Sequence, residues 1–221
     1  MTDQASPTPV RSSPPLAGEL ARLLGARFGV RRGTRTVVGI AGESGSGKSV
    51  TAESVAGELG ATGLATLVLH QDDYFHRPPR TNHEHRLLDL ASVGPHEVNM
   101  KLLAAHVVAF RAGKDGVVGP RVDYPANRFL TRRLDFAGVA VLVVEGTYVL
   151  QLRDLDVRVF LEATHSDTRE RRRLRARDVD APVVETILGI EHAIIAPQAA
   201  LADVVVDRDF VIRADSCPPR P

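Results

Sequence analysis

Large apolar residues recur along the chain in two rhythms. Leu16, Leu20, Leu23, Leu24 and Phe28 fall at helical spacing, so Leu16 to Phe28 is predicted as an amphipathic helix packed against a domain. From Thr34 onward, short β-branched runs alternate with helical stretches, the pattern of a parallel sheet with crossover helices. Strands are predicted at Thr36 to Ala41, Ala65 to His70, Val139 to Glu145, Val157 to Leu161 and Val204 to Asp207, with Phe210 to Arg213 as an added edge strand. Helices are predicted at Lys48 to Leu59, Pro95 to Ala112, Ser166 to Asp178 and Val183 to Ala200. Phe75 to Val93 is polar and shows no stable period; a segment of that length in a compact domain is expected to border a substrate site. The expected fold is therefore α/β, with a mostly parallel five-stranded sheet and helices on both faces.

Organisation follows from the same pattern. Residues 1–15 hold four prolines and little apolar surface to offset ordering entropy, so they are expected to form a disordered tail. Residues 16–215 form the expected domain, followed by a flexible C-terminal stretch, 216–221.

Composition narrows the classes of function. The chain has 221 residues, 28 Lys plus Arg against 27 Asp plus Glu, and a formal net charge of +1, so no long-range field favours a polyanion and a nucleic-acid partner is not expected. Its single cysteine, Cys217, excludes an internal disulfide and any zinc site needing two thiolates, which fits a cytoplasmic location. No window is apolar for the length of a membrane span, so no membrane partner is expected either. A small-molecule substrate is the expected partner, and homo-oligomerisation is left open.

The strongest motif is Gly42-Glu43-Ser44-Gly45-Ser46-Gly47-Lys48-Ser49, followed by Val50, lying between a predicted strand and a predicted helix. Its glycines allow backbone N–H groups to converge on phosphate oxygens at the positive end of the helix. Lys48 would reach the β and γ phosphates of ATP, and Ser49 would place its hydroxyl on Mg²⁺. A second metal-side oxygen is expected from Glu145, at the carboxyl end of an apolar strand where ligands of open α/β sheets bind.

On the acceptor side, His70-Gln71-Asp72-Asp73-Tyr74-Phe75 follows the second strand. Transfer of a phosphoryl group to a hydroxyl calls for a carboxylate that accepts the hydroxyl proton, and Asp72 is assigned that part ahead of Asp73. Arginines at 169, 171, 172, 173, 175 and 177 are read as a helical lid whose guanidinium groups close over the phosphates. His83-Glu84-His85, with His70 and His76, matches no standard metal-ligand spacing, so these residues are read as solvated.

Taken in order, GESGSGKS, QDDYF, VVEG, the arginine run and ALADVVVDRD resemble the uridine kinase and phosphoribulokinase group of P-loop kinases from about Thr34 to Arg213. The resemblance implies a three-layer P-loop fold with a helical lid, Mg²⁺-dependent use of ATP, a catalytic Asp at Asp72, a strand-end Glu at Glu145, lid arginines at Arg172 and Arg173, and Ala202 to Val206 near the adenine. The stretch Leu88 to Glu97 departs from the family's ribose-holding segment, leaving Asp89 as its candidate acid, and Pro120 to Tyr124 departs from the base-reading block. Substrate contacts are accordingly expected from Asp72, Tyr74, Asp89, Asp123, Tyr124, Asn127 and Arg128, with the 5′-hydroxyl of uridine or cytidine as the leading acceptor. A sugar, pentose phosphate or vitamin alcohol is the alternative, and a slow ATPase switch a more distant one.

Overall fold

A computed structural model describes residues 14–168 and 182–213. Its centre is a five-stranded, all-parallel sheet made of the five strands predicted for it: β1 (Thr36–Gly42), β2 (Thr66–His70), β5 (Val141–Glu145), β6 (Val157–Leu161) and β7 (Val204–Val206), in the order β2-β5-β1-β6-β7. The strands read as continuous apolar runs because both faces are covered; all of β1 and β5 is buried. Alternation decides which face each residue serves. Val38, Ile40, Val141, Val143 and Val159 pack with α1 (Pro14–Phe28) and α2 (Lys48–Ala61), while Val37, Ala41, Leu142 and Val144 face the opposite core with α4 (Met100–Arg111). The result is the three-layer α/β arrangement expected from the sequence.

Four features differ from expectation. The predicted helix Pro95 to Ala112 is interrupted: a 3₁₀ turn at Pro95–Glu97 precedes α4, which starts anew because the Asn99 side chain accepts from the Leu102 N–H at 3.0 Å. The aperiodic stretch after Phe75 contains a helix, α3 (Pro79–Leu88), with Pro79 in its first turn; it escaped detection because its one buried residue is Asn82, while Leu87 and Leu88 are exposed. A hairpin was missed as well, β3 (Val117–Asp123) with antiparallel β4 (Arg128–Leu134), a separate two-stranded sheet whose arginines hide the period-two signal. Finally, Phe210 to Arg213 contributes an isolated antiparallel bridge, Val206 to Ile212, in place of an edge strand.

Pro14 and Pro15 begin α1, whereas the rest of the expected tail, 1–13, and the residues from 214 lie outside the described residues. The last predicted helix is α5 (Pro182–Ile195), continued by a 3₁₀ segment at Ala196–Leu201. Of the predicted arginine-rich helix, Ser166 to Asp178, residues 166–168 lie in a turn and the rest falls outside the described residues, so Arg172 and Arg173 are not placed. Among the described residues, no helix is long and apolar enough to cross a membrane.

Candidate functional site

Sheet register brings the motifs together. On the last rung that β5 shares with its neighbours, Glu145 lies between Ile40 of β1 and His70 of β2, so the chains leaving β1, β2 and β5 emerge at one edge. The turn from β1 into α2 is the glycine-rich loop. Gly45 and Gly47 have φ of 77° and 99°, in the left-handed region, and a Cβ on Gly42 would lie 2.7 Å from both the Leu161 carbonyl oxygen and Ser46 Oγ. Ser46 is fully buried, and its Oγ has no hydrogen-bond partner among the described residues. The Lys48 ammonium donates to the Glu43 carbonyl at 2.8 Å, folding back over the loop. An unpartnered buried hydroxyl, a backbone cradle that tolerates no Cβ and a lysine held at its rim suit a chain of phosphates.

Ser49 and Glu145, 96 residues apart in sequence, meet at 3.1 Å, the hydroxyl donating to Glu145 Oε1. Two oxygen ligands at the mouth of a phosphate loop are what a hard divalent cation takes. The same Oε1 is 2.7 Å from His70 Nδ1, and His70 Nε2 is 3.1 Å from Glu53. The hydrogen bond to Glu145 raises the His70 pKa above 6.5 against the opposing effect of burial. Sequence spacing gave no sign of this histidine's place beside Glu145; the register of β2 against β5 supplies it.

The turn after β2 is pinned from below. Gln71, fully buried, accepts from the Tyr148 N–H at 2.8 Å and donates to Thr147 Oγ1 at 3.0 Å, and any Cβ on Gly146 would collide with it. This pin fixes the two aspartates on opposite sides of the turn. Asp73 points inward, accepting from the Val122 N–H at 2.8 Å and facing Arg132 at 3.4 Å, and so ties the hairpin to the sheet. Asp72 is exposed, with the Tyr124 hydroxyl donating to its Oδ2 at 3.0 Å.

The remaining acceptor-side candidates divide. Tyr74, expected to touch substrate, is buried in the core with its hydroxyl 2.7 Å from His106 Nδ1, because the 3₁₀ turn Gln71–Tyr74 rotates it away from Asp72. Asp89 caps a 3₁₀ turn, accepting from the Ala91 N–H at 3.0 Å. Asp123 and Arg128 pair across the hairpin turn at 3.2 Å. Asn127, in the left-handed region at φ 48°, accepts from the Arg80 N–H at 2.8 Å and donates to Thr81 Oγ1 at 3.1 Å, joining the turn to the start of α3. Of this group, Tyr124 alone reaches Asp72.

A buried ionic cluster that the sequence did not suggest joins α3, the segment before α4, and α5. Arg86 bonds Glu97 through two nitrogens at 2.6 and 2.8 Å and Glu191 at 3.0 Å, while Asn82 and the Gly94 N–H also donate to Glu97, each at 2.8 Å. Burial would push the Glu97 carboxyl up, but these donors outweigh it and hold it below 4.5. Glu191 shows the opposite result: burial raises it despite the nearby Arg86 and Lys48 charges. Helical spacing is the one hint of it in the sequence, since Asn82 and Arg86, four positions apart, share a face of α3.

Past β6, the turn at 164–168 docks on the glycine-rich loop, Thr168 Oγ1 donating to the Ser44 carbonyl at 2.9 Å and the His165 N–H to Glu43 Oε2 at 2.6 Å. Thr168, the last described residue before the arginine-rich segment, therefore sits at the rim of the loop. The profile of the Phosphoribulokinase / Uridine kinase family matches residues 37–211. The chain belongs to that family. It is accordingly an ATP-dependent phosphotransferase with an alcohol acceptor. It is 30% identical over 189 residues to a bifunctional alpha-galactosidase/sucrose kinase of Mediterraneibacter gnavus, covering 79% of this chain and 20% of that protein. With the uridine kinase of Staphylococcus aureus it is 28% identical over 184 residues, 77% of this chain and 86% of the relative. The chain thus spans about a fifth of the first relative and most of the second. In three dimensions it resembles a structure described as a possible uridine kinase from Bacillus stearothermophilus, with a TM-score of 0.62, 19% identity, and 86% and 97% of the two chains covered; this likeness concerns the fold.

Proposed function

We propose that this family member is a Mg²⁺-dependent kinase of a small polyhydroxylated metabolite, a sugar in preference to uridine or cytidine. The observation that carries the reading is the single edge of the sheet at which the Lys48 loop, the Ser49 and Glu145 oxygens and the exposed Asp72 carboxylate come together. ATP with Mg²⁺ would supply the transferable phosphoryl group and screen its charge. The N–H groups of Gly42 to Ser49 and the Lys48 ammonium would hold the anion, and Ser49 with Glu145 would hold the metal. Asp72 Oδ accepts the proton of the acceptor hydroxyl as that oxygen becomes the nucleophile. Tyr124, donating to Asp72 Oδ2, orients the carboxylate. The arginines of 169–181 are assigned to the developing phosphoryl charge.

The preference for a sugar rests on the acceptor side. Asp123, Asn127 and Arg128 are engaged with one another or with α3, and Tyr74 is in the core, so few of the groups expected to read a base are free to do so. The 30% identity to a protein whose name includes sucrose kinase points the same way. Similarity to the uridine kinase of S. aureus favours the nucleoside reading. ADP release from Mg-ATP, measured against sugars, nucleosides, pentose phosphates and vitamin alcohols with a no-acceptor control, separates them. Stimulation by a sugar is expected; stimulation by uridine alone would restore the nucleoside, and slow release indifferent to every acceptor would overturn the kinase mechanism.

A further inference from the structure

Glu43 occupies the second position of the glycine-rich loop, and its carboxylate is buried. A buried negative charge at this position opposes the purpose of a loop that gathers phosphates. The structure answers that charge with two imidazoles brought from far along the chain. His192 Nδ1, on α5, is 2.6 Å from Glu43 Oε1; His165 Nδ1, in the turn after β6, is 3.0 Å from Oε2. The two rings pack edge to face with centroids 5.6 Å apart, and the ligand-type atoms of all three residues lie within 4.8 Å of one another.

We infer that Glu43, His165 and His192 form a binding site for a divalent transition metal of the zinc type, separate from the Mg²⁺ position at Ser49 and Glu145. Two imidazole nitrogens and one carboxylate oxygen are a ligand set that Zn²⁺ accepts and Mg²⁺ does not favour. Tetrahedral zinc at about 2.0 to 2.2 Å from each ligand separates those ligands by about 3.3 Å, so the present bonds of 2.6 and 3.0 Å open by less than about 1 Å as the metal enters. The entering ion displaces any proton held at either Nδ1, and the fourth position is left to water. Access is available from the His192 side, where the side chain is 44% exposed, whereas Glu43 is enclosed at 6%. A +2 ion converts the local charge from that of a lone carboxylate to a net positive one. It also joins the phosphate loop, the turn leading to the arginines and α5 at one point.

The test uses the full chain, free of nucleotide and Mg²⁺, incubated with Zn²⁺ and passed through a desalting column. Retention of about one equivalent of zinc is expected, together with an increase in melting temperature and, with Co²⁺ substituted, the intense visible absorption of a tetrahedral site. His192→Gln, His165→Gln and Glu43→Gln should each lose the bound metal and the thermal shift, while His83→Gln retains both. His192→Cys, which restores a ligand of a different type, should recover retention and move the Co²⁺ absorption toward that of a thiolate. Failure of the parent chain to retain zinc would overturn the site, as would undiminished retention in the Gln variants. Three independent variants keep the result from depending on the folding of one, and a zinc readout stands or falls apart from the kinase reading.

Discussion

The phosphate side and the acceptor side of this molecule are built by different means. On the phosphate side, eight consecutive residues, joined by Glu145 from β5, carry the chemistry, mostly through backbone N–H groups whose directions follow from glycine conformations. The acceptor side is held by side chains that meet across long separations: Asp73 on Val122, Tyr124 on Asp72, Asn127 on Arg80, Arg86 on Glu97 and Glu191. Backbone chemistry can be coded locally, and side-chain chemistry here depends on which segments the fold makes neighbours. A family can therefore keep one donor mechanism while exchanging acceptors by altering a hairpin and a helix.

The comparison makes Asp72 the point where the two sides meet, and the largest effect is expected there. Asp72→Asn should lower kcat by about 10²- to 10⁴-fold while leaving ATP affinity nearly unchanged, as read by steady-state kinetics and nucleotide titration. Equal losses in ATP affinity would place Asp72 on the phosphate side and dissolve the division.

A smaller but still large effect, on stability, is expected at Arg86. Arg86→Met leaves Glu97 and Glu191 without their shared cation in a buried setting, which should cost about 3 to 5 kcal/mol in urea unfolding. A near-neutral result would mean that the acceptor side does not depend on this cluster.

Third, the Tyr74 and His106 pair should hold the hairpin side through neutral imidazole chemistry. Tyr74→Phe should destabilise the fold by about 1 to 3 kcal/mol, the cost of leaving the buried His106 nitrogen unsatisfied. Burial, aided by the Arg132 charge, lowers the His106 pKa below its ordinary 6.5. Its stabilising contribution is therefore complete above pH 6.5 and is lost as pH falls from there through the folded-state value, because the unfolded chain takes up the proton first. Urea midpoints measured across that window should fall with acidification in the parent chain and less in His106→Gln; parallel slopes would remove His106 from the account.

The smallest effect is expected at Arg128, whose side chain is 64% exposed while it pairs with Asp123. Arg128→Ala should change stability by less than about 1 kcal/mol. A large rise in acceptor KM in that variant would show that the pair opens to hold substrate.

How much was legible beforehand divides along the same line. The five parallel strands were readable because strands buried on both faces must be apolar throughout, a pattern that needs no knowledge of partners. The glycine-rich loop was readable since its residues are contiguous. By contrast, α3 buries a polar residue and exposes Leu88, and the β3–β4 hairpin is a two-stranded sheet with arginines on it, so neither carries the apolar period on which prediction depends. Tyr74 shows the limit at one residue: two positions from Asp72, it was grouped with the site, but a 3₁₀ turn sends the two side chains to opposite sides.

What the sequence determined by itself was the layered α/β fold and the phosphate loop, since burial periodicity and consecutive glycines act over a few residues. Only tertiary structure decided that Glu145 meets His70, that Arg86 serves two glutamates, and that Glu43 receives His165 and His192. Those groups lie up to 149 residues apart, and their meeting depends on strand order and register, which the packing of the whole sheet sets.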